Sequence, residues 1–295
     1  MFHPSTLVLL AAASIWGSSA GARQGSNPPP PEPKQGEDTS DRGLTKMEPA
    51  YQFRFDQSLW YVGLSGAVRV PGTAPLITSD TKLNQVGADK PRLAPMGEVR
   101  VGFDQWRVSL SAFGVSMNTT GTAKVAGQFG TFAFNAGDTI RSSIDLASVQ
   151  ILGGYSFGNW STPKKPDGKV AFSIDQSLIA GVRMYDLSMG FGSAAANTVR
   201  TDQFFFEPVV GGRIDMELNH GFSIEVESTF GYLPGERSSA TWEISTGFVY
   251  RPIENVGIRF AYRNMRVDLQ SGKDVGKFEF NGGAAGLLVG VELRF

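Results

Sequence analysis

The chain is 295 residues long, with a formal net charge of −1, 41% hydrophobic residues and no cysteine. Near-neutrality removes the electrostatic case for nucleic acid or an acidic partner, and the lack of Cys removes a disulfide framework and an acylated-cysteine anchor. No apolar run reaches the roughly eighteen residues of a membrane-spanning helix, which excludes a helical membrane protein but not one that crosses with strands.

Leu7 to Trp16 (LVLLAAASIW) is an apolar run of about ten residues, too short to span a bilayer and suited to a signal-peptide core. Ala20-Gly21-Ala22 has the A-x-A form for cleavage after Ala22, so residues 1–22 are expected to be a signal peptide. Residues 23–50 are rich in Pro, Gly and charge and poor in aliphatics. Such a segment buries too little surface to offset its ordering entropy and reads as a disordered or polyproline periplasmic linker, or as a Pro-rich ligand for a partner domain. Residues 51–295 read as one unit.

From residue 57 onward, alternation of apolar and polar residues recurs, the pattern of strands whose side chains point to opposite faces in turn. Over Gln57 to Val70, Trp60, Val62, Leu64, Val68 and Val70 share the apolar, outward-assigned face, opposite Tyr61, Gly63, Ser65, Ala67 and Arg69. Val99, Val101 and Phe103 oppose Glu98, Arg100 and Gly102; after a turn at Asp104-Gln105, Trp106, Val108, Leu110 and Ala112 oppose Arg107, Ser109 and Ser111. The fourth strand places Val149, Ile151, Tyr155 and Phe157 outward, while Ile144 and Leu146 break phase and predict a bulge. The fifth runs from about Ala171 to Phe191. The sixth sets Phe206, Val210, Ile214, Met216 and Leu218 against Glu207, Arg213, Asp215 and Glu217. The seventh sets Phe222, Ile224, Val226 and Phe230 against Glu225 and Glu227, and the eighth sets Trp242, Ile244, Phe248 and Tyr250 against Glu243 and Arg251. The ninth opposes Val256, Ile258, Phe260 and Tyr262 to Arg259 and Arg263, and the tenth ends the chain with Leu287, Val289, Val291, Leu293 and Phe295 on one side and Glu292 and Arg294 on the other.

Links alternate between long ones (72–92, 119–139, 192–202, 234–239, 271–277) and mostly short ones (104–105, 219–220, 252–255), with 158–169 a longer turn on the short side. An up-and-down barrel with long loops on the outer face of a membrane produces this asymmetry. Aromatics near strand ends, among them Trp60, Phe103, Trp106, Phe157, Trp160, Phe222, Phe230, Trp242, Tyr250 and Phe295, suit interfacial girdles. The expected fold is therefore an all-β, transmembrane, antiparallel up-and-down barrel of ten strands. An even count puts both termini in the periplasm of a Gram-negative-type bacterium.

Several stretches resemble a family of uncharacterised bacterial outer-membrane barrels within the wider OmpA-like group of small barrels. They are GVRMYDL (181–187), FEPVVGGRIDMEL (206–218), FAYRNMRVDLQ (260–270) and the terminal segment 278–295. The resemblance implies the fold and an outer-membrane location, and it brings no catalytic residues. The terminal Val291, Leu293 and Phe295 resemble the closing signature that the barrel-assembly machinery reads.

The candidate site is a lumen network of Glu98, Glu207, Asp215, Glu217, Glu225, Glu227, Glu243 and Glu292 with Arg100, Arg107, Arg183, Arg213, Arg251, Arg259, Arg263 and Arg294. Unpaired charges in a narrow lumen are costly, so near balance predicts interlocking ion pairs. Two readings follow: a structural or surface-interaction barrel closed by this network, or a narrow non-selective pore for small solutes. A soluble periplasmic carrier is a third, with the apolar face turned inward. Catalysis is not expected: beyond the predicted cleavage site the one histidine is His220, in a turn near Asp215 and Ser223. No cofactor or metal is expected. The partners expected are outer-membrane lipids, the assembly machinery and a ligand or surface partner at the outer loops.

Overall fold

The structure, a computed structural model, describes residues 45–46, 53–72, 80–163, 171–193, 198–218 and 221–295. The proposed signal peptide, most of the linker and the Asn219-His220 turn lie outside these residues. Ten long strands form the wall: β1 (Phe53–Arg69), β2 (Arg92–Phe103), β3 (Trp106–Thr122), β4 (Thr139–Ser161), β5 (Phe172–Gly192), β6 (Val199–Leu218), β7 (Phe222–Leu233), β8 (Arg237–Ile253), β9 (Val256–Ser271) and β10 (Phe278–Arg294). Each pairs antiparallel with its neighbours in sequence, and β10 pairs with β1, so the sheet closes on itself without a crossover. Phe295 N–H donates to Phe53 O at 2.8 Å and Phe53 N–H to Phe295 O at 3.0 Å, extending that closure to the last residue.

The side chains sort as lipid requires on the lower part of the wall, where the termini and short turns lie. Phe103, Trp106, Ile151, Leu178, Val210, Phe260 and Leu287 stand exposed on the outside, while a closed ladder satisfies the backbone polar groups. Of the girdle aromatics proposed from sequence, all but Trp60 are exposed on this surface. Trp60 is wholly buried in the lumen.

That exception corrects the reading of β1. Its even-numbered residues point inward: Arg54, Asp56 and Ser58 below, then Trp60, Val62, Leu64 and Val68, all buried. Leu59 and Tyr61 are the lipid-facing residues. The sequence pattern puts the apolar face outside, but above Ser58 the inside is apolar as well. The same fact corrects β4. No bulge sits at Ile144 or Leu146, where Ser143 to Ala147 pair in unbroken register with both β3 and β5. Both side chains simply point into an apolar lumen. The irregularities lie lower, between Ser156 and Gly158 and between Tyr250 and Ile253.

The wall is also taller than the loop assignments allowed. β4 has 23 residues, roughly 75 Å of strand at about 3.3 Å per residue. Tilted by about 40°, it spans roughly twice the ~25 Å apolar band of a membrane barrel. Segments assigned to long links, such as 119–122 and 199–202, are therefore wall. On the upper part the outer face is polar (Ser116 and Asn118 on β3, Asp145 on β4, Arg266 and Asp268 on β9). The inner face holds a continuous core that includes Phe113, Val115, Met117, Leu146, Leu187, Met265, Val267 and Leu269. A short hairpin (Gly127–Phe129 with Phe132–Phe134) closes the upper mouth: Phe129 stacks on Phe191 with ring centroids 3.8 Å apart and planes 7° apart.

Candidate functional site

Strand alternation delivers one inward side chain in two, and the closed wall brings inward residues of distant strands together. All sixteen charged residues of the predicted lumen network take part in ion pairs or charged hydrogen bonds in the lower lumen. At the lower rim Arg294 lies 3.0 Å from Glu217, and Arg251 lies 2.6 Å from Glu292 and 3.8 Å from Glu217. One layer up, Arg259 lies 2.9 Å from Glu225, and Arg100 grips Glu98 through Nε at 2.6 Å and Nη2 at 2.9 Å. Arg213 Nε donates to Glu227 at 2.7 Å, and Arg107 bridges Asp215 at 3.2 Å.

Three further members were missed. Arg54 lies 2.9 Å from Asp56 and 2.7 Å from Glu292, and also pairs with Glu225; Arg107 pairs with Asp175. Arg54 and Asp56 share parity with Trp60, so assigning Trp60 outward hid them. Asp175 shares parity with Arg183 on β5, a strand whose faces were not assigned from sequence; counting back by twos from Arg183 finds it.

Arg183 forms the ceiling of this zone. Its side chain is 0% exposed as a residue and donates to Glu243 at 2.9 Å, Thr229 at 2.8 Å, Gln150 at 3.2 Å, Thr241 at 3.1 Å and the Tyr185 hydroxyl at 3.2 Å, with Glu207 at 3.6 Å. The Tyr185 hydroxyl in turn donates to Glu207 at 3.2 Å. A fork with several donors suits such convergence, which a Lys could not reproduce. Gly231 makes room for Glu207, since a methyl group there would collide with its carboxylate. Beside Arg183, Arg263 pairs with Glu243 at 2.9 Å and lays its guanidinium 5.4 Å from the Trp60 ring and 5.1 Å from the Phe113 ring. A cation over aromatic faces is attracted by the ring quadrupole, so Arg263 joins the ionic zone to the apolar core above it.

A cavity of about 30 Å³ lies among Glu98, Arg100, Gln150, Arg213, Glu243 and Arg263, and one of about 10 Å³ beside Arg107, Ser177 and Ile179. No group of His, Cys, Asp and Glu among the described residues is arranged to hold a metal ion. Of the proposed terminal signal, Val291 and Phe295 are exposed on the outer wall and Leu293 is half-buried there.

The fold is a closed, ten-stranded, antiparallel up-and-down barrel whose lower exterior is apolar and whose lower interior is ion-paired. No protein-family model matches the sequence, and neither does any curated protein. Among solved structures the chain is similar in fold to the outer membrane protease OmpT from Escherichia coli, at 10% identity over 88% of this chain and 100% of that one, with a TM-score of 0.44. It is also similar to Neisserial surface protein A, at 13% identity over 85% and 100% with a TM-score of 0.35. A third is Ail, the attachment invasion locus protein of Yersinia pestis, in complex with the heparin analogue sucrose octasulfate, at 11% identity over 83% and 99% with a TM-score of 0.33. At these identities the likeness concerns the fold alone.

Proposed function

We propose that the chain is an outer-membrane barrel with a structural or surface-interaction role, non-catalytic and closed to solute flow, with both termini in the periplasm. The observation that carries this is the filling of the lumen by two chemically different layers: ion pairs from Arg294 up to Arg183, and an apolar core from Trp60 up to Phe129 and Phe191. The two cavities within the ionic layer, about 30 and 10 Å³, hold at most a few waters. In this reading the polar upper wall projects beyond the lipid and meets the surroundings, and Val291, Leu293 and Phe295 serve assembly.

Reconstitution of folded protein into planar bilayers tests it. The expected trace is silent at moderate voltage. Steady, discrete openings in the unmodified protein would replace this reading with that of a narrow solute pore.

A further inference from the structure

The wall is not equally well made all the way round. β2 has 12 residues and pairs with β1 only up to Val62 and with β3 only up to Phe113. Above that height β1 runs on to Arg69 and β3 to Thr122, and among the described residues the strand between them is the two-residue Thr81–Lys82. The gap is crossed by residues 80–91. Thr81–Lys82 pair with Val68 and Ala67 of β1, the short 3-10 turn Leu83–Gln85 crosses toward the end of β3, and Pro91 returns beside Gly63.

This strap is closed chiefly by side chains. Leu83 and Val86 are 0% exposed and belong to the upper core. On the β3 side, among the described residues, its backbone hydrogen bond is the one that Lys124 N–H donates to Gln85 O at 2.9 Å. Close approach is possible there because Gly121 has no side chain, where a Cβ would collide with the Val86 carbonyl. The outward residues flanking the gap, Ser65 and Ala67 on β1 and Ser116 and Asn118 on β3, are polar or small, so the gap opens to water above the lipid belt. At this height the ladder is full on both sides of β4, β5, β9 and β10, and the wall has one other interruption among the described residues, where β6 runs on to Val199 but pairs with β7 only up to Val209. Local opening follows the density of such bonds and contacts.

We propose that residues 80–91 are a displaceable strap, which opens the upper barrel sideways, above the membrane, onto an apolar chamber lined by Val62, Leu64, Val115 and Met117. What the opened chamber takes is an apolar molecule, since the side chains it bares carry no polar group.

The chain contains no cysteine, so single thiols report access cleanly. Val115→Cys lies behind the strap, and Met189→Cys lies on β5, two strands further round the wall, where the ladder is paired on both sides; both parent residues are buried. In folded, vesicle-embedded protein a water-soluble maleimide is expected to label the first at least tenfold faster than the second. Adding Gly121→Val, which pushes on Val86, raises labelling of Val115→Cys further and leaves Met189→Cys unchanged. Lys124→Pro, which removes the donor to Gln85, does the same if Gly121→Val fails to fold. A large apolar fluorophore is then taken up more by the loosened variant than by the parent. Equal labelling at the two positions, or a loosening substitution that changes neither or both, overturns the strap; selective labelling without fluorophore uptake overturns the apolar chamber.

Discussion

Along β3 the inner face changes from Arg107, Ser109 and Ser111 to Phe113, Val115 and Met117, while the outer face changes from Trp106, Val108 and Leu110 to Ser116 and Asn118. β9 makes the same exchange at Arg263 and Met265 inside and at Tyr262 and Asn264 outside. The lower zone is thus organised for lipid and the upper zone for water, on the same strands and with the same hydrogen-bonded ladder. The backbone is indifferent to which solvent surrounds it once its polar groups are paired within a closed sheet. The side chains alone decide, and they change sides together at the level of Trp60, Arg183 and Arg263.

The two zones are held together by different physics. Apolar burial gains free energy roughly in proportion to area when the surroundings are water, so the upper core is stabilised as a soluble domain is. In the lower zone the exterior gains nothing from packing against itself in lipid, and the interior is a set of desolvated charges. Each guanidinium or carboxylate there is costly alone, and the network is stabilising relative to its broken forms rather than relative to an apolar filling.

That distinction makes the lower zone the more brittle to single changes. Arg183→Met, which keeps volume but removes the charge, leaves Glu207 and Glu243 short of a partner and is expected to cost about 3–5 kcal/mol, read from denaturant unfolding out of lipid vesicles. Adding Glu207→Gln, which removes the surplus carboxylate and leaves Glu243 to Arg263, recovers much of the loss. A single variant within about 1 kcal/mol of the parent would mean that water reaches this layer and that the two zones are less different than drawn. In the upper zone the matching change is Leu146→Ala, expected to cost about 2–5 kcal/mol through lost transfer energy and an unfilled cavity, with no rescue by altering a charged neighbour. If it proved harmless, the upper lumen would not be a packed core.

The strand count, the antiparallel order and the ionic lumen were legible because alternation, tight turns and charge parity are local signals. The exchange of faces was not, because the rule that the apolar side faces outward holds only for the lower part of each strand. β1 shows the error: Leu59 and Tyr61 are apolar on the lipid face, Trp60 and Val62 on the lumen face, and a strand apolar on both sides has no phase to read. β4 shows the signal that was present. Ile144 and Leu146 looked out of phase with Ile151, and Asp145 between them pointed the other way, which is what a change of surroundings produces without any bulge. The strap was hidden for another reason, since a missing half-strand is visible only once the neighbouring strands have been measured against it.

The sharpest test of where the zones meet uses the outer face of one strand. Ile151 and Asp145 both point outward from β4, six residues apart, and both lie in regular pairing with β3 and β5. Ile151→Arg places a charge against the apolar band and is expected to cost about 2–4 kcal/mol, measured by folding into vesicles. Asp145→Arg, at a water-facing site, is expected to stay within about 0.5 kcal/mol, allowing for loss of its 2.5 Å hydrogen bond from the Ser116 hydroxyl. The smallest effect is expected from Asp145→Leu. If Asp145 sat in lipid, that substitution would stabilise the barrel by relieving a buried carboxylate; in water it adds an isolated exposed leucine, which alters stability little. A clear gain from Asp145→Leu together with a penalty from Asp145→Arg would move the boundary upward past Asp145 and place the upper core inside the membrane.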